Sequence, residues 1–278
     1  MATISWFVRK KSLGALGAII LIAWILVAIL AEQIAPHNPN TQAFTPLQPP
    51  STMHLAGTDQ YGRDLFSRLV FGSRISIVVG ISTVTIALVL ALAIGIPSAF
   101  WGGTADLIVQ RIVDMMLSFP GLLFALLVAA TLGPSLTNVI ISIALGKTAA
   151  GIRLVRGMVL SEREKEYVMS ARVIGCSKAR ICFRHINPNV IPMSIILAAT
   201  AVGDSILADA GMSFLGLGVP PPASSWGSDL SLGRSSFLLA PWLAVFPGLA
   251  LTSAIFAFNM LGDSLRDLLD PRIRRRGV

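Results

Sequence analysis

Apolar residues run along this chain in long uninterrupted blocks, without the alternation of a half-buried strand or the three-and-four spacing of a surface helix. One uncharged block, Ser12 to Ala31, follows Arg9, Lys10 and Lys11. It is longer than a signal-peptide core and more apolar blocks follow it, so it predicts an uncleaved first helix. A second block, Ile75 to Ala105, is long enough to cross a ~30 Å hydrocarbon layer. The third, Met115 to Gly146, is divided by Gly133-Pro134, a turn signal that predicts two helices joined near Ser135. The fourth helix then continues through Lys147, Arg153 and Arg156, its charged end leaving the bilayer. A fifth runs from Val190 to about Asp209. The sixth covers Phe237 to Leu261, with Pro241 near its start and Pro247 inside, where neighbours or water satisfy the freed carbonyl. The expectation is an all-α polytopic membrane protein with six transmembrane helices.

Composition agrees. Of 278 residues 54% are apolar and 13% charged, against about 25% charged in a soluble domain. Mean hydropathy is +0.75. Disorder, a disulfide scaffold and a water-soluble enzyme domain are excluded. The net charge of +8 does not call for nucleic acid, because the basic residues sort by topology. Three lie at the amino terminus, eight between Arg153 and Arg184, and five between Arg266 and Arg276. The connections Glu32–Arg74 and Gly211–Arg234 carry only Arg63, Arg68, Arg74 and Arg234. With six spans the three basic segments share one side, which places both termini in the cytoplasm.

Between the fourth and fifth helices, Ser161-Glu-Arg-Glu164 matches a capping box. Tyr167, Val168, Ala171 and Ile174 then recur at helical spacing, and Gly175 is placed to end the helix. A second basic segment, Lys178 to His185, is expected to stop at Pro188. Two readings stand: a solvated connecting helix, or an apolar stripe that docks in a partner's groove. The length of the connection favours docking. Pro36 to Pro50 reads as extended loop and His54 to Asp64 as a compact glycine-punctuated stretch. Phe66, Leu69, Val70 and Ile75 suggest a short amphipathic approach to the second helix. Ser213 to Gly227, with three successive prolines, fits a rigid turn at the membrane surface.

Several ionisable residues are candidates for chemistry. Asp204 and Asp209 sit in an apolar block and must face protein or water: they line a path for a cationic group, or they are headgroup-level or structural residues. Arg111 and Asp114 are spaced to pair on one helix face near Asp106. Cys176, Cys182 and His185 fit no compact zinc pattern and read as incidental; His37 and His54 stand apart in a loop-rich connection, where nickel transfer through them is the alternative to the expected absence of a metal site. Gly146-Lys147-Thr148 lacks the upstream glycine of a phosphate loop, Ile141 standing there, and ATP binding by this chain is not expected.

These segments carry a resemblance. Gly57-Thr-Asp-Gln-Tyr-Gly-Arg-Asp64 with Ser67-Arg68, Met212-Ser-Phe-Leu-Gly-Leu-Gly218 with Trp226-Gly227, and the tail Gly262 to Arg272 resemble the permease subunit of a bacterial ABC importer of the dipeptide/oligopeptide/nickel class. That family's cytoplasmic signature maps onto Met169-Ser170-Ala171, Gly175, His185, Asn187 and Pro188. Here Ala171, Gly175 and Pro188 fit, while Met169 replaces the glutamate, Ser170 an alanine, His185 the isoleucine and Asn187 the leucine. The resemblance implies an N-terminal helix and extracytoplasmic loop over 1–74 and a permease core over 75–278, with a coupling region at 161–188. It implies a second permease, two cytosolic ATPase subunits or domains that hold the ATP and Mg, and an extracytoplasmic binding protein. Coupling then falls to Glu164, Tyr167, Val168, Ala171, Ile174 and Gly175, chiefly Tyr167, Val168 and Ile174, and the binding-protein side to the loop of Asp59, Arg63 and Asp64. Cargo stays open among dipeptides, oligopeptides, nickel, haem and glutathione. Another class, an ion-driven or structural membrane protein, is disfavoured by the near absence of histidines and carboxylates in the helices and of any internal repeat.

Overall fold

A computed structural model describes residues 12–269, so the basic runs Arg9–Lys11 and Arg272–Arg276 lie outside the described residues. Among those described there is no β-strand, and the helices follow in order. They are α1 (Ser12–Ile29), α2 (Ala31–Ile34), α3 (Leu65–Trp101), α4 (Gly103–Leu117), α5 (Gly121–Leu132) and α6 (Leu136–Arg163). Then come α7 (Glu166–Val173), α8 (Lys178–Ile181), a π turn (Cys182–Ile186), α9 (Asn187–Phe214), α10 (Trp226–Ser235) and α11 (Trp242–Leu269).

Four stretches are long and apolar enough to cross a membrane: Leu65–Trp101, Leu136–Arg163, Lys178–Phe214 and Trp242–Arg266. The expected third span is instead a bent pair, α4 and α5 meeting at 91°. The break falls at Ser118-Phe119-Pro120, where Pro120 adopts an extended ψ of 131° and cannot continue the helix behind it. Alone, α5 has 12 residues, roughly 18 Å, too short for a ~30 Å core. The first helix, α1, is apolar on every face and its described part has 18 residues.

Apolar blocks mark the bilayer-compatible part of a helix, and not its ends. The approach residues Phe66, Leu69 and Val70 are the first turns of α3 itself, whose start is fixed by the Asp64 side chain accepting from Ser67 N at 2.8 Å. Ser135 caps α6 after the Gly133-Pro134 turn, accepting from Asn138 N at 3.0 Å. At the other end α6 runs straight through Ser161, so the predicted capping box does not form and Glu164 is the helix's C-terminal flank. Pro188 does not stop the preceding segment. It lies at the second position of α9, directly after the π turn that joins α8 to α9 as one rod and absorbs the break in the hydrogen-bond ladder. The stretch Ser213–Gly227, expected as a rigid turn, is non-helical from Leu215 to Ser225 and then enters α10 at Trp226.

The large exposed apolar side chains, such as Ile19, Ile22 and Leu26 on α1 and Val89 on α3, suit lipid or protein partners and not water. Inside, two buried clusters define opposite ends. One gathers around Trp226, with Leu65, Leu69, Ile206 and Ala254, beside the long connection: the loop end. The other joins Val113, Ile152, Val155, Val168, Ile181 and Ile186 beside α7: the basic end. A third, around Val79, Val139 and Met212, lies between α3, α5, α6 and α9.

Candidate functional site

At the basic end α7 is clamped to the helices that carry it. Val168 and Ala171 are buried in the cluster built by α3, α6 and α8, so half of the predicted docking stripe faces the chain's own core. What remains outside is Ile174, 78% exposed, with Val173 at 87% and Met169 at 55%, while Tyr167 is only partly exposed. Glu162, buried near the end of α6, accepts from the Tyr167 hydroxyl and lies 2.6 Å from Lys165 Nζ. Asn189 Nδ2 donates to the Tyr167 oxygen at 3.2 Å and to His185 O at 2.7 Å, tying α7 to the head of α9. Burial, then the Glu162 carboxylate, pushes the Tyr167 phenol above its usual range, so it stays a neutral donor. Gly175 ends the helix as predicted: its φ of +80° is left-handed, Cys176 N donates to Ala171 O at 3.0 Å and Gly175 N to Arg172 O at 3.0 Å.

Ion pairs at this end run between helices. Arg111 and Asp114 do not pair with each other. Asp114 meets Arg153, and Asp106 takes three bonds from Arg156, at 2.9 and 3.0 Å from Nε and 2.7 Å from Nη2, which anchors α4 across α6. Cross-helix partners win because α4 lies against α6 with these side chains between them.

At the loop end the distant motifs converge. Arg68, from the first of them, donates through Nε and Nη2 to Asp229 Oδ1 at 2.8 and 2.6 Å, both residues being buried. Ser224 Oγ lies 2.7 Å from the other oxygen of Asp229. Trp226 Nε1 donates to Leu69 O at 3.0 Å, and its ring meets Trp24 edge-on at 4.7 Å. Asp229 was not among the predicted residues. Its signal is its place in the first turn of a helix opened by Trp226-Gly227, a motif already in view.

Asp59, Arg63 and Asp64 are buried and shape the loop from within, Arg63 also reaching the wall of a cavity. Asp59 accepts from Tyr61 N at 2.8 Å, Arg63 N at 2.9 Å and Arg63 Nε at 2.6 Å. Asp64 caps α3. The large apolar side chains exposed here are Met53, Leu55 and Tyr61. A cavity of about 520 Å³ opens beside Tyr61, lined also by Arg63, Arg68, Ser213, Pro221 and Ser228. Gly62 has a φ of +70°, and a Cβ there would fall on the Phe44 carbonyl oxygen. Gly62→Ala is therefore expected to cost the solubilised chain about 2–3 kcal/mol in denaturant unfolding, through strain at this turn.

His37 and His54, expected apart, are brought together with ring centroids 5.5 Å from each other. The predicted path carboxylates separate. Asp209 is buried with neither oxygen hydrogen-bonded among the described residues. Asp204 is exposed on α9. Lys147 lines a cavity of about 210 Å³ between α3, α6 and α9, with Ala87, Gly151, Ser194 and Ala201. A lysine lining a mostly apolar cavity between helices marks a water-accessible or functional surface.

Comparison with known proteins adds a family to this geometry. Residues 87–275 match the model of the binding-protein-dependent transport system inner membrane component, and residues 6–50 that of the N-terminal TM domain of oligopeptide transport permease C. The dipeptide transport system permease protein DppC of Alkalihalophilus pseudofirmus is 41% identical over 271 residues, 96% of this chain and 88% of the relative. The probable D,D-dipeptide transport system permease protein DdpC of Escherichia coli is 39% identical, over 98% of this chain and 91% of its own length. The glutathione transport system permease protein GsiD of Pectobacterium atrosepticum is 38% identical, over 96% and 89%.

Proposed function

This chain belongs to the binding-protein-dependent transport system inner membrane component family, and from that premise we propose that it forms half of the translocation path of an ATP-driven importer for short peptides. The observation that carries the mechanism is α7: a helix locked to the chain's core on one side and presenting Met169, Val173 and Ile174 on the other. Large apolar side chains on a short helix beyond the membrane spans fit a groove on a cytosolic ATPase, with Tyr167 and Glu164 at its edge. Val168 and Ala171 then act from inside and Gly175 ends the helix, holding it rigid so that ATP-driven closure moves α6 and α9 with it. ATP and Mg belong to that partner.

The basic end faces the cytoplasm in this reading, with both termini there, and the loop end faces the binding protein. A second permease, of different sequence, completes the path. Lys147 and Asp204 offer opposite charges, which suits the two termini of a peptide zwitterion crossing between α6 and α9. Dipeptide transport is the first cargo to test, since relatives over nearly the whole chain are dipeptide permeases. Glutathione, itself a modified peptide, is the second, on the strength of the glutathione permeases among the relatives.

The test is reconstitution with the partner permease, ATPases and candidate binding proteins, reading uptake of labelled peptide into right-side-out vesicles. Dipeptide uptake that needs both ATP and a loaded binding protein is the expected result. Lys147→Met should lower it about tenfold or more without disturbing assembly, the scale expected for one lost charge contact. Failure of any ATPase to assemble with the chain overturns the importer reading. Uptake of nickel or haem alone overturns the cargo.

A further inference from the structure

The loop end holds two of the chain's three histidines against a buried carboxylate. His54 is buried, with Nδ1 2.9 Å from Asp64 Oδ1. The other oxygen, Asp64 Oδ2, is occupied by Ser67 N at 2.8 Å and Ser67 Oγ at 2.7 Å. His37 hangs from the same serine, its backbone N–H donating to Ser67 Oγ at 3.1 Å. Phe44 packs on both imidazoles, its ring 4.8 Å from that of His37 and 4.5 Å from that of His54. One donor atom from each of His37, His54 and Asp64 lies within 4.8 Å of the others. Capping α3 requires only Asp64 Oδ2 and Ser67. That leaves the His37 imidazole, and the buried pair of His54 with Asp64 Oδ1, whose shared proton a metal ion would displace, outside the capping of α3.

We propose that His37, His54 and Asp64 form a binding site for a borderline divalent transition-metal ion of the Zn²⁺ or Ni²⁺ kind. Two imidazole nitrogens and one carboxylate oxygen match that class, whereas Ca²⁺ and Mg²⁺ take sets made of oxygen. Tetrahedral zinc at 2.0–2.1 Å from nitrogen needs donors about 3.3 Å apart. The His54–Asp64 separation of 2.9 Å is already close to that. Closing the set falls to His37, which is only partly buried and whose ring can turn inward while its backbone stays on Ser67. Ser67 locks the carboxylate from behind, and Phe44 supplies the apolar wall, which is the outer support a metal site needs. The remaining coordination positions are left to water. This inference stands apart from the transport reading, because the donors meet whichever way the chain is inserted.

The test is Zn²⁺ titration of the tag-free, full-length chain in detergent, by calorimetry and by metal analysis after dialysis. About one Zn²⁺ per chain is expected, with affinity at least tenfold weaker in His37→Ala, a loss on the scale of a perturbed metal shell. His37→Ala keeps the backbone bond to Ser67, so an unchanged unfolding midpoint without metal will confirm that the fold persists. His54→Gln gives a second loss. A Cys176→Ser, His185→Ala double variant, altered at the basic end, should bind as the unaltered chain does. The Co²⁺-loaded chain should show imidazole-dependent visible absorption that His37→Ala removes. Undiminished Zn²⁺ binding by His37→Ala, or no binding below about 100 μM by the unaltered chain, a range far weaker than a structural zinc site, overturns the proposal.

Discussion

Asp229→Ala is expected to destabilise the loop end by about 3–5 kcal/mol, because it strands the Arg68 guanidinium in a buried site. Arg68 has its Nε and Nη2 committed to Asp229, and the nearest other carboxylate, Asp59, is 4.0 Å away and already holds Arg63. A loss of this size is a large fraction of the roughly 5–15 kcal/mol that holds a typical domain together. Denaturant or thermal unfolding of the solubilised chain, read by near-ultraviolet signals, measures it directly, since Trp226 is bonded to Leu69 O next to Arg68 and meets Trp24 edge-on. Replacing both partners, Arg68→Met with Asp229→Leu, should recover most of the loss, because no uncompensated charge is then buried. An Asp229→Ala chain as stable as the original would mean that water reaches Arg68 and that the pair is not the staple described.

Val173→Asp with Ile174→Asp is expected to cut ATP-driven uptake about tenfold or more while leaving the unfolding midpoint nearly unchanged. Both side chains are almost fully outside the fold, at 87% and 78% exposure, so carboxylates there cost the isolated chain little. Against an apolar groove the same charges must be desolvated without a partner, which centres the cost on the interface. Val168→Asp, one helical face away, should do the reverse: it buries a charge in the chain's own cluster and lowers stability and yield together. Comparing the co-purified ATPase with the permease's own midpoint separates the two outcomes. Equal uptake by the Val173, Ile174 variant would place the ATPase contact elsewhere on the basic end.

The contrast between these variants also explains what the sequence could reveal. Apolar runs located the long spans because twenty apolar residues have few alternatives to crossing a bilayer. They missed helix ends, since a charged turn continues a helix when its charges find partners in space, as Arg68 and Arg156 do. The box at Ser161–Glu164 failed for the same reason: Glu162 is held by Tyr167 and Lys165, and the last turn of α6 is worth more packed than capped. Gly175 and the Gly133-Pro134 break were legible because left-handed and proline geometries are local properties. The outward and inward halves of the α7 stripe were not, because they depend on where α8 and the π turn come to rest. The meeting of His37 with His54 depends on the path of a loop stitched by Phe44 N to Gly62 O, Leu47 N to Asp59 O and Thr58 N to Gln48 O, which no spacing rule encodes.

The buried Arg68–Asp229 staple also determines where this chain can bend. It pins the first turn of α3 to α10, and α3 then extends 37 residues, roughly 55 Å, to Trp101 at the opposite end. A lever fixed at one tip has its fulcrum there. A tilt of about 10° at Arg68 would carry Trp101 sideways by about 10 Å, on the length just given, while hardly moving the loop that crowns the fulcrum. The geometry favours large strokes where α7 sits and near stillness at the opposite face, so a docked protein on that face could stay seated through the whole cycle.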